Sequence, residues 1–263
     1  MQYFSAPAHT DFECVWKGGE AVNWRRVTAA VCALALVPFF SREDAVRQAA
    51  GPAQVEIGSP PLVALTFDDG PRNKTTGALL DGLALREVPA TFFLVGSRIA
   101  GSEELIQRMK AEGHQIGVHT YDHVIITDLS REDFDLQVGK TRAQLINLLG
   151  EGDYWLRPPY GIVDQSVKQW CDCPLILWSV DPEDWKDEDV DRIVACVLEH
   201  VKDGDIILMH DIFQSSVEAA LRIVDALLDR GYCFLTVEQL MEQRQVEPQR
   251  GVGYRGFPPE NLD

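Results

Sequence analysis

Leu62-Val63-Ala64-Leu65-Thr66-Phe67-Asp68-Asp69-Gly70-Pro71 decides the fold. A short apolar run ends in two carboxylates and a Gly-Pro pair that forces a sharp turn, so Val63–Phe67 is predicted to be a buried strand handing over to a loop. Four more polar clusters stand just after apolar runs: His119-Thr120-Tyr121-Asp122-His123, Arg157-Pro158-Pro159-Tyr160, Asp181-Pro182-Glu183-Asp184-Trp185 and His210-Asp211. Ionisable residues at successive strand exits are how a barrel enzyme places its active site.

Working outward, further strands are predicted at Thr91–Val95, Gln115–Val118, Tyr154–Arg157, Leu175–Val180, Asp205–Met209 and Cys233–Thr236. Helices are predicted between them over Thr75–Arg86, Glu103–Glu112, Arg131–Leu149, Asp164–Trp170, Asp189–Val201 and Ser216–Asp229, with a closing helix over Val237–Arg244. Strands alternating with helices imply a parallel sheet, and seven units over this length point to an α/β fold of the distorted (β/α)7-8 barrel type. That domain is placed at 62–244. The remaining 245–263 carries Pro and Gly without a period and is expected to be an extended surface tail or disordered.

Residues 1–40 form a separable N-terminal segment. Arg25 and Arg26 precede a stretch, 27–40, in which Thr28 is the only polar residue. That pattern resembles the charged and apolar regions of an export signal or an uncleaved signal anchor, although it is short for a full membrane crossing. The alternative is a core helix, against which no polar face alternates. Residues 1–21 make a long leader ahead of the arginines, which suggests a true start near Val22. Residues 41–61 read as a linker. Export is the expected fate, with an extracellular or wall location, or a membrane tether through 27–40.

The composition, 46% hydrophobic and 25% charged, is that of an ordinary globular protein, while the net charge of −17 argues against nucleic acid as a partner. A monomer is expected. The six cysteines match neither a zinc-knuckle spacing nor a dense disulfide scaffold. Buried free thiols are the default; in an exported chain the alternative is a bridge from Cys171 or Cys173 to Cys196 or Cys233.

The clusters supply hydrolytic chemistry. Asp68 and Asp69 leave the first strand in different directions, so one carboxylate can bind a cation while the other faces substrate; taken alone, the pair reads equally well as a cap before Pro71. His119 and His123 converge on one cation if the loop turns helically. With Asp69 they make two nitrogen ligands and one oxygen ligand with positions left for water, the layout of a catalytic site. One divalent ion is expected there: zinc first, with cobalt, nickel or manganese compatible with the same ligands. Arg157, on a stiff Pro-Pro mount, should pair with Asp68. His210 faces the same side as Leu208 and suits an acid beside a small apolar pocket, with Asp184 or Asp181 as its partner. Trp185 offers a flat surface for a sugar ring, although a lone tryptophan is more often core. Asp122 reads as a solvated loop residue and His114 as structural.

The clusters T-F-D-D-G, H-T-x-x-H, R-P-P-Y, D-x-x-D-W and L-M-H-D resemble, in order, the five motifs of carbohydrate esterase family 4, the polysaccharide deacetylases with a NodB-homology domain. The resemblance covers about residues 60–243 and implies a distorted (β/α) barrel. It implies Asp68 as catalytic base and Asp69, His119 and His123 as the metal triad. It further implies Arg157 as the tether of the base, the Tyr160 N–H as an oxyanion donor, and Asp184 as the residue tuning the catalytic His210. Trp185 and Leu208 would wall the groove and the acetyl-methyl pocket. The implied activity is metal-dependent removal of acetyl groups from N-acetylglucosamine in peptidoglycan or a chitin-like polymer. The alternatives keep the fold but change the substrate to N-acetylmuramic acid, acetylated xylan or a non-sugar amide. A wall-binding module without turnover needs neither base nor acid, and a phosphoesterase would want a basic cluster that this acidic chain lacks.

Overall fold

Alternation of strand and helix runs through residues 59–259, the part of the chain that the computed structural model describes. The elements are β1 (Leu62–Asp68), α1 (Asn73–Ala84), β2 (Thr91–Leu94), α2 (Glu103–Ala111), β3 (Gln115–Val118), α3 (Arg131–Leu149) and α4 (Gln165–Trp170). They continue with β4 (Leu175–Ile176), α5 (Val190–His200), β5 (Asp205–His210), α6 (Gln214–Asp229), β6 (Cys233–Leu235), α7 (Val237–Gln243) and β7 (Gly253–Tyr254). Among the described residues no helix is long and apolar enough to cross a membrane. The apolar stretch 27–40 and most of the linker lie outside them.

β1 is covered on both faces, which is why it reads as a continuous apolar run instead of an alternating one. It pairs in parallel with β5 along one side, Val63 with Asp205 through Asp68 with His210. Its other side is shared: β6 takes Leu62–Ala64 and β2 takes Thr66–Asp68. From β2 the sheet passes to β3 and then by single parallel bridges from Val118 to Leu156, Leu156 to Leu175, and Val180 to Ile207. The circuit closes on β5. It is a barrel with two incomplete staves.

Both shortfalls have local causes. The predicted strand over Tyr154–Arg157 contributes one bridging residue, because Pro158 and Pro159 remove the next backbone donors. The predicted strand over Leu175–Val180 is interrupted after Ile176, where the Ile176 and Leu177 carbonyls accept from the Arg157 side chain. β7 fills part of the gap. The C-terminal stretch, expected as an extended surface tail or as disorder, is instead built into the barrel over its described part: Leu175 and Leu177 N–H donate to the Val252 and Tyr254 carbonyls, and Phe257 is buried.

Helices cover the outside. Ser130, Asp189 and Thr236 cap α3, α5 and α7 through their side chains, and Thr236 forms a reciprocal capping box with Gln239. α1 and α6 approach closely at Gly82, where a Cβ would fall 2.4 Å from a Leu221 methyl. Cys171, Cys173 and Cys196 are free thiols, so the alternative bridge from Cys171 or Cys173 does not form.

Candidate active site

All five polar clusters arrive at one end of the barrel because every stave runs in the same direction. The register of β1 with β5 sets Asp68 opposite His210, and the β2–β3 pairing brings the start of the histidine loop beside Leu94, whose carbonyl accepts from the His119 N–H.

Asp68 is buried, and its Oδ1 accepts from Arg157 Nη1 at 2.8 Å. Arg157 has no exposed surface, yet every face of its guanidinium is used. It donates also to Thr66 Oγ1 at 2.7 Å, to the Ile176 carbonyl at 3.2 Å and to the Leu177 carbonyl at 3.0 Å. Its carbon lies 4.1 Å from the centroid of the Phe93 ring. Burial pushes the guanidinium below its ordinary pKa and the neighbouring Asp68 carboxylate pulls it back up. The expected Asp68–Arg157 pair is therefore one edge of a larger network. Thr66 could have been found from strand alternation, since residues two apart share a face; Phe93 carried no signal of this role.

Asp69, His119 and His123 offer ligand atoms that lie within 4.8 Å of one another. His119 Nδ1 sits 2.7 Å from the Arg157 carbonyl. A carbonyl only accepts, so Nδ1 carries the proton and Nε2 turns a lone pair inward. Burial lowers the pKa of His119, favouring this neutral form against the pull of Asp68 and Asp69. Asp69 Oδ1 is buried and accepts no hydrogen bond, although His123 Nε2 lies 3.2 Å away and His119 Nε2 3.7 Å away. An inward lone pair on His119 and an unpartnered buried carboxylate oxygen, with His123 Nε2 beside them, fit a cation. The histidines do not meet through a helical turn as expected: Thr120 and His123 take left-handed φ of 62° and 57°. Gln137 of α3 holds that loop, its Oε1 accepting from the Tyr121 and Asp122 N–H groups and its Nε2 donating to Asp122. Gln137 had no distinguishing mark in the sequence.

On the other flank, Asp184 is the partner of His210. One oxygen meets Nδ1 at 2.8 Å and the other accepts the His210 backbone N–H at 2.8 Å. Asp181 instead accepts from the Glu183 N–H. Burial alone would lower the imidazole pKa, but Asp184, with Asp68 and Asp69 behind it, raises it to about 9. Leu208 is buried, while Trp185 is 55% exposed, so it is not core. Tyr160 sits at φ 61° in the 3₁₀ turn Pro159–Gly161, its ring edge-on to His123 with centroids 5.0 Å apart. His114 accepts from the Ala90 N–H at 3.0 Å, a structural contact as read.

Asp211 supports the site from behind, a role that its place after His210 does not announce. Its fully buried carboxylate lies where a Cβ on Gly70 would stand, 2.4 Å away, so only glycine lets the Asp69–Pro71 turn close onto it. Thr76 Oγ1 donates to Asp211 and accepts from the Arg72 N–H, tying that turn to β5 and α1.

A model of the polysaccharide deacetylase family matches residues 56–171. The solved family 4 acetyl xylan esterase of Clostridium thermocellum, in complex with a cobalt ion, superposes with a TM-score of 0.72 at 31% identity, over 75% of this chain and 99% of that one. The chain belongs to the polysaccharide deacetylase family. This deacetylase-family chain is also 39% identical over 184 residues to the peptidoglycan-N-acetylmuramic acid deacetylase PdaC of Bacillus subtilis. It is 37% identical over 182 residues to the peptidoglycan-N-acetylglucosamine deacetylase PgdA of Listeria monocytogenes. The matches cover 70% and 69% of this chain and 39% of each relative, so the chain spans about two fifths of their length.

Proposed function

We propose that this chain removes acetyl groups from N-acetylglucosamine units of peptidoglycan or a chitin-like polymer, releasing acetate and leaving a free amino sugar. One observation carries the reading: an arginine-held carboxylate, Asp68, stands in register with a carboxylate-held imidazole, His210, on adjacent strand ends, with the candidate metal triad beside them. A base and an acid held in opposite protonation states are what amide hydrolysis asks for.

Asp69, His119 and His123 would hold one divalent ion, zinc in the first instance. Bound there, such an ion supplies Lewis acidity toward the acyl oxygen and a lowered pKa for water. The rest belongs to the chain. Asp68, fixed by Arg157, takes the proton of the attacking water through the carboxylate oxygen that Arg157 leaves free. The Tyr160 N–H donates to the developing oxyanion. His210, kept protonated by Asp184, gives its proton to the departing amine. The exposed Trp185 ring stacks on the sugar, and Leu208 borders the acetyl methyl.

N-acetylmuramic acid is the second reading, favoured by the likeness to PdaC. The working location is outside the cell, at the wall, reached through the N-terminal apolar stretch. The test is acetate release by the full chain from N-acetylglucosamine oligomers, N-acetylmuramic-acid-containing glycans and acetylated xylan, with and without chelator. Chelator-sensitive release from the glucosamine oligomers that Asp68→Asn abolishes supports the proposal. Release only from muramic-acid glycans transfers it to the second reading, and release from xylan alone refutes N-deacetylation.

A further inference from the structure

Away from the barrel mouth, the Cys171-Asp172-Cys173 loop joining α4 to β4 carries two thiols that the hydrolytic site does not use. Their sulfurs lie 3.5 Å apart, and both side chains are buried while Asp172 between them is exposed. Arg142 of α3 reaches over the loop. Its Nη1 donates to both Asp172 oxygens at 2.9 Å, and its Nη2 donates to Cys173 Sγ at 3.3 Å.

The three ligand atoms of this loop are close enough to suggest a second metal centre. The guanidinium argues otherwise. It occupies both carboxylate oxygens and places a permanent positive charge against one sulfur, which repels a cation and favours a thiolate. The hydrogen bond across the sulfur pair separates the two, holding the Cys171 thiol below its ordinary pKa and, with burial, pushing the Cys173 thiol above its own, so that Cys171 is the thiolate that attacks first.

We propose that Cys171 and Cys173 are a dithiol–disulfide couple, oxidised by a low-molecular-weight disulfide. A disulfide bond needs the sulfurs at about 2.05 Å, so they must close by about 1.5 Å. In the first step one thiolate attacks a sulfur of the small disulfide and expels its partner as a thiolate, leaving a mixed disulfide. In the second, the remaining cysteine attacks the protein-side sulfur of that bond and expels the second small thiol. Overall the pair loses two protons and two electrons, and one small disulfide becomes two thiols. Close neighbours in sequence seldom bridge, but here burial and Arg142 have already brought the sulfurs into contact.

The experiment is incubation of the reduced full chain with oxidised glutathione under native conditions, alkylation of free thiols, and mass analysis of the tryptic peptide 169–186. The expected result is a peptide lighter by two hydrogens than its reduced form, with neither cysteine alkylated. Cys173→Ser should carry one glutathione on Cys171 instead. Arg142→Gln should slow closure by about threefold for each unit that the thiol pKa rises, since the roughly tenfold loss in thiolate is offset about threefold in nucleophilicity. A wild-type peptide with both thiols alkylated, or with glutathione retained on either, overturns the couple; an unchanged rate in Arg142→Gln overturns the role of the guanidinium.

Discussion

Replacing Asp184 by Asn separates the acid role proposed for His210 from the geometry around it. The amide keeps the size of the side chain and still offers an oxygen to the His210 backbone N–H, but loses the negative charge at Nδ1. With Asp184 present the imidazole titrates at about 9, so at pH 8 about nine tenths of the enzyme carries the acid proton. Without that charge only the more distant Asp68 and Asp69 oppose burial and the pKa falls; a return to the ordinary value of about 6.5 leaves about 3% protonated at pH 8. The expected loss in kcat/KM is about thirtyfold at pH 8 and close to nil near pH 5.5, where both proteins are protonated. Acetate release across this range, for wild type and Asp184→Asn, measures it. A deficit of equal size at both pH values would refute the argument, since orientation lost to the amide does not depend on pH. The same shift has a stability consequence of fixed sign. A folded-state pKa above the unfolded value stabilises the fold below about pH 6.5, by up to about 3 kcal/mol, and this contribution is lost as the pH rises through about 9.

Arg157→Met leaves Asp68 buried beside carbonyls that have lost their donor and should cost about 3–5 kcal/mol in urea unfolding, part of which Asp68→Asn restores in the double variant. Asp69→Asn should weaken cobalt binding by more than about a hundredfold by calorimetry, because it removes the only anionic member of the candidate triad; unchanged affinity would place the ion elsewhere. Deleting residues 250–263 removes the acceptors of the Leu175 and Leu177 N–H groups and should destabilise the barrel by about 1–3 kcal/mol for each, read as a fall in urea midpoint. Trp185→Ala should raise KM for long glycans with little change in kcat, since an exposed ring stacking on sugar contributes equally to ground and transition states.

The legible parts of the fold were those where one physical demand dominates. β1, β2, β3, β5 and β6 read correctly because parallel strands covered on both faces leave uninterrupted apolar runs. The site's ionisable members were legible for a related reason: a carboxylate or histidine directly after such a run has few roles open to it. What escaped was the support. Gln137 is one polar residue among many on an exposed helix, and nothing in its neighbours says that it holds the backbone of the histidine loop. β7 escaped because strand pairing there depends on what another segment lacks, and that demand is written in Leu175–Leu177, far away in sequence.

That distance links the distortion of the barrel to the chemistry at its mouth. A stave from Leu175 to Val180 hydrogen-bonded to its neighbours throughout would commit the Ile176 and Leu177 carbonyls to a ladder. Here both are given to Arg157, which needs them because a guanidinium buried without full hydrogen bonding would be costly. The outward N–H groups of Leu175 and Leu177 still require acceptors, and β7 provides them. Fixing Asp68 thus draws in the arginine, the arginine interrupts the stave, and the interruption recruits the C-terminal segment. The tail is as much a part of the site's support as Thr66, its work done one layer behind the residues that would meet substrate.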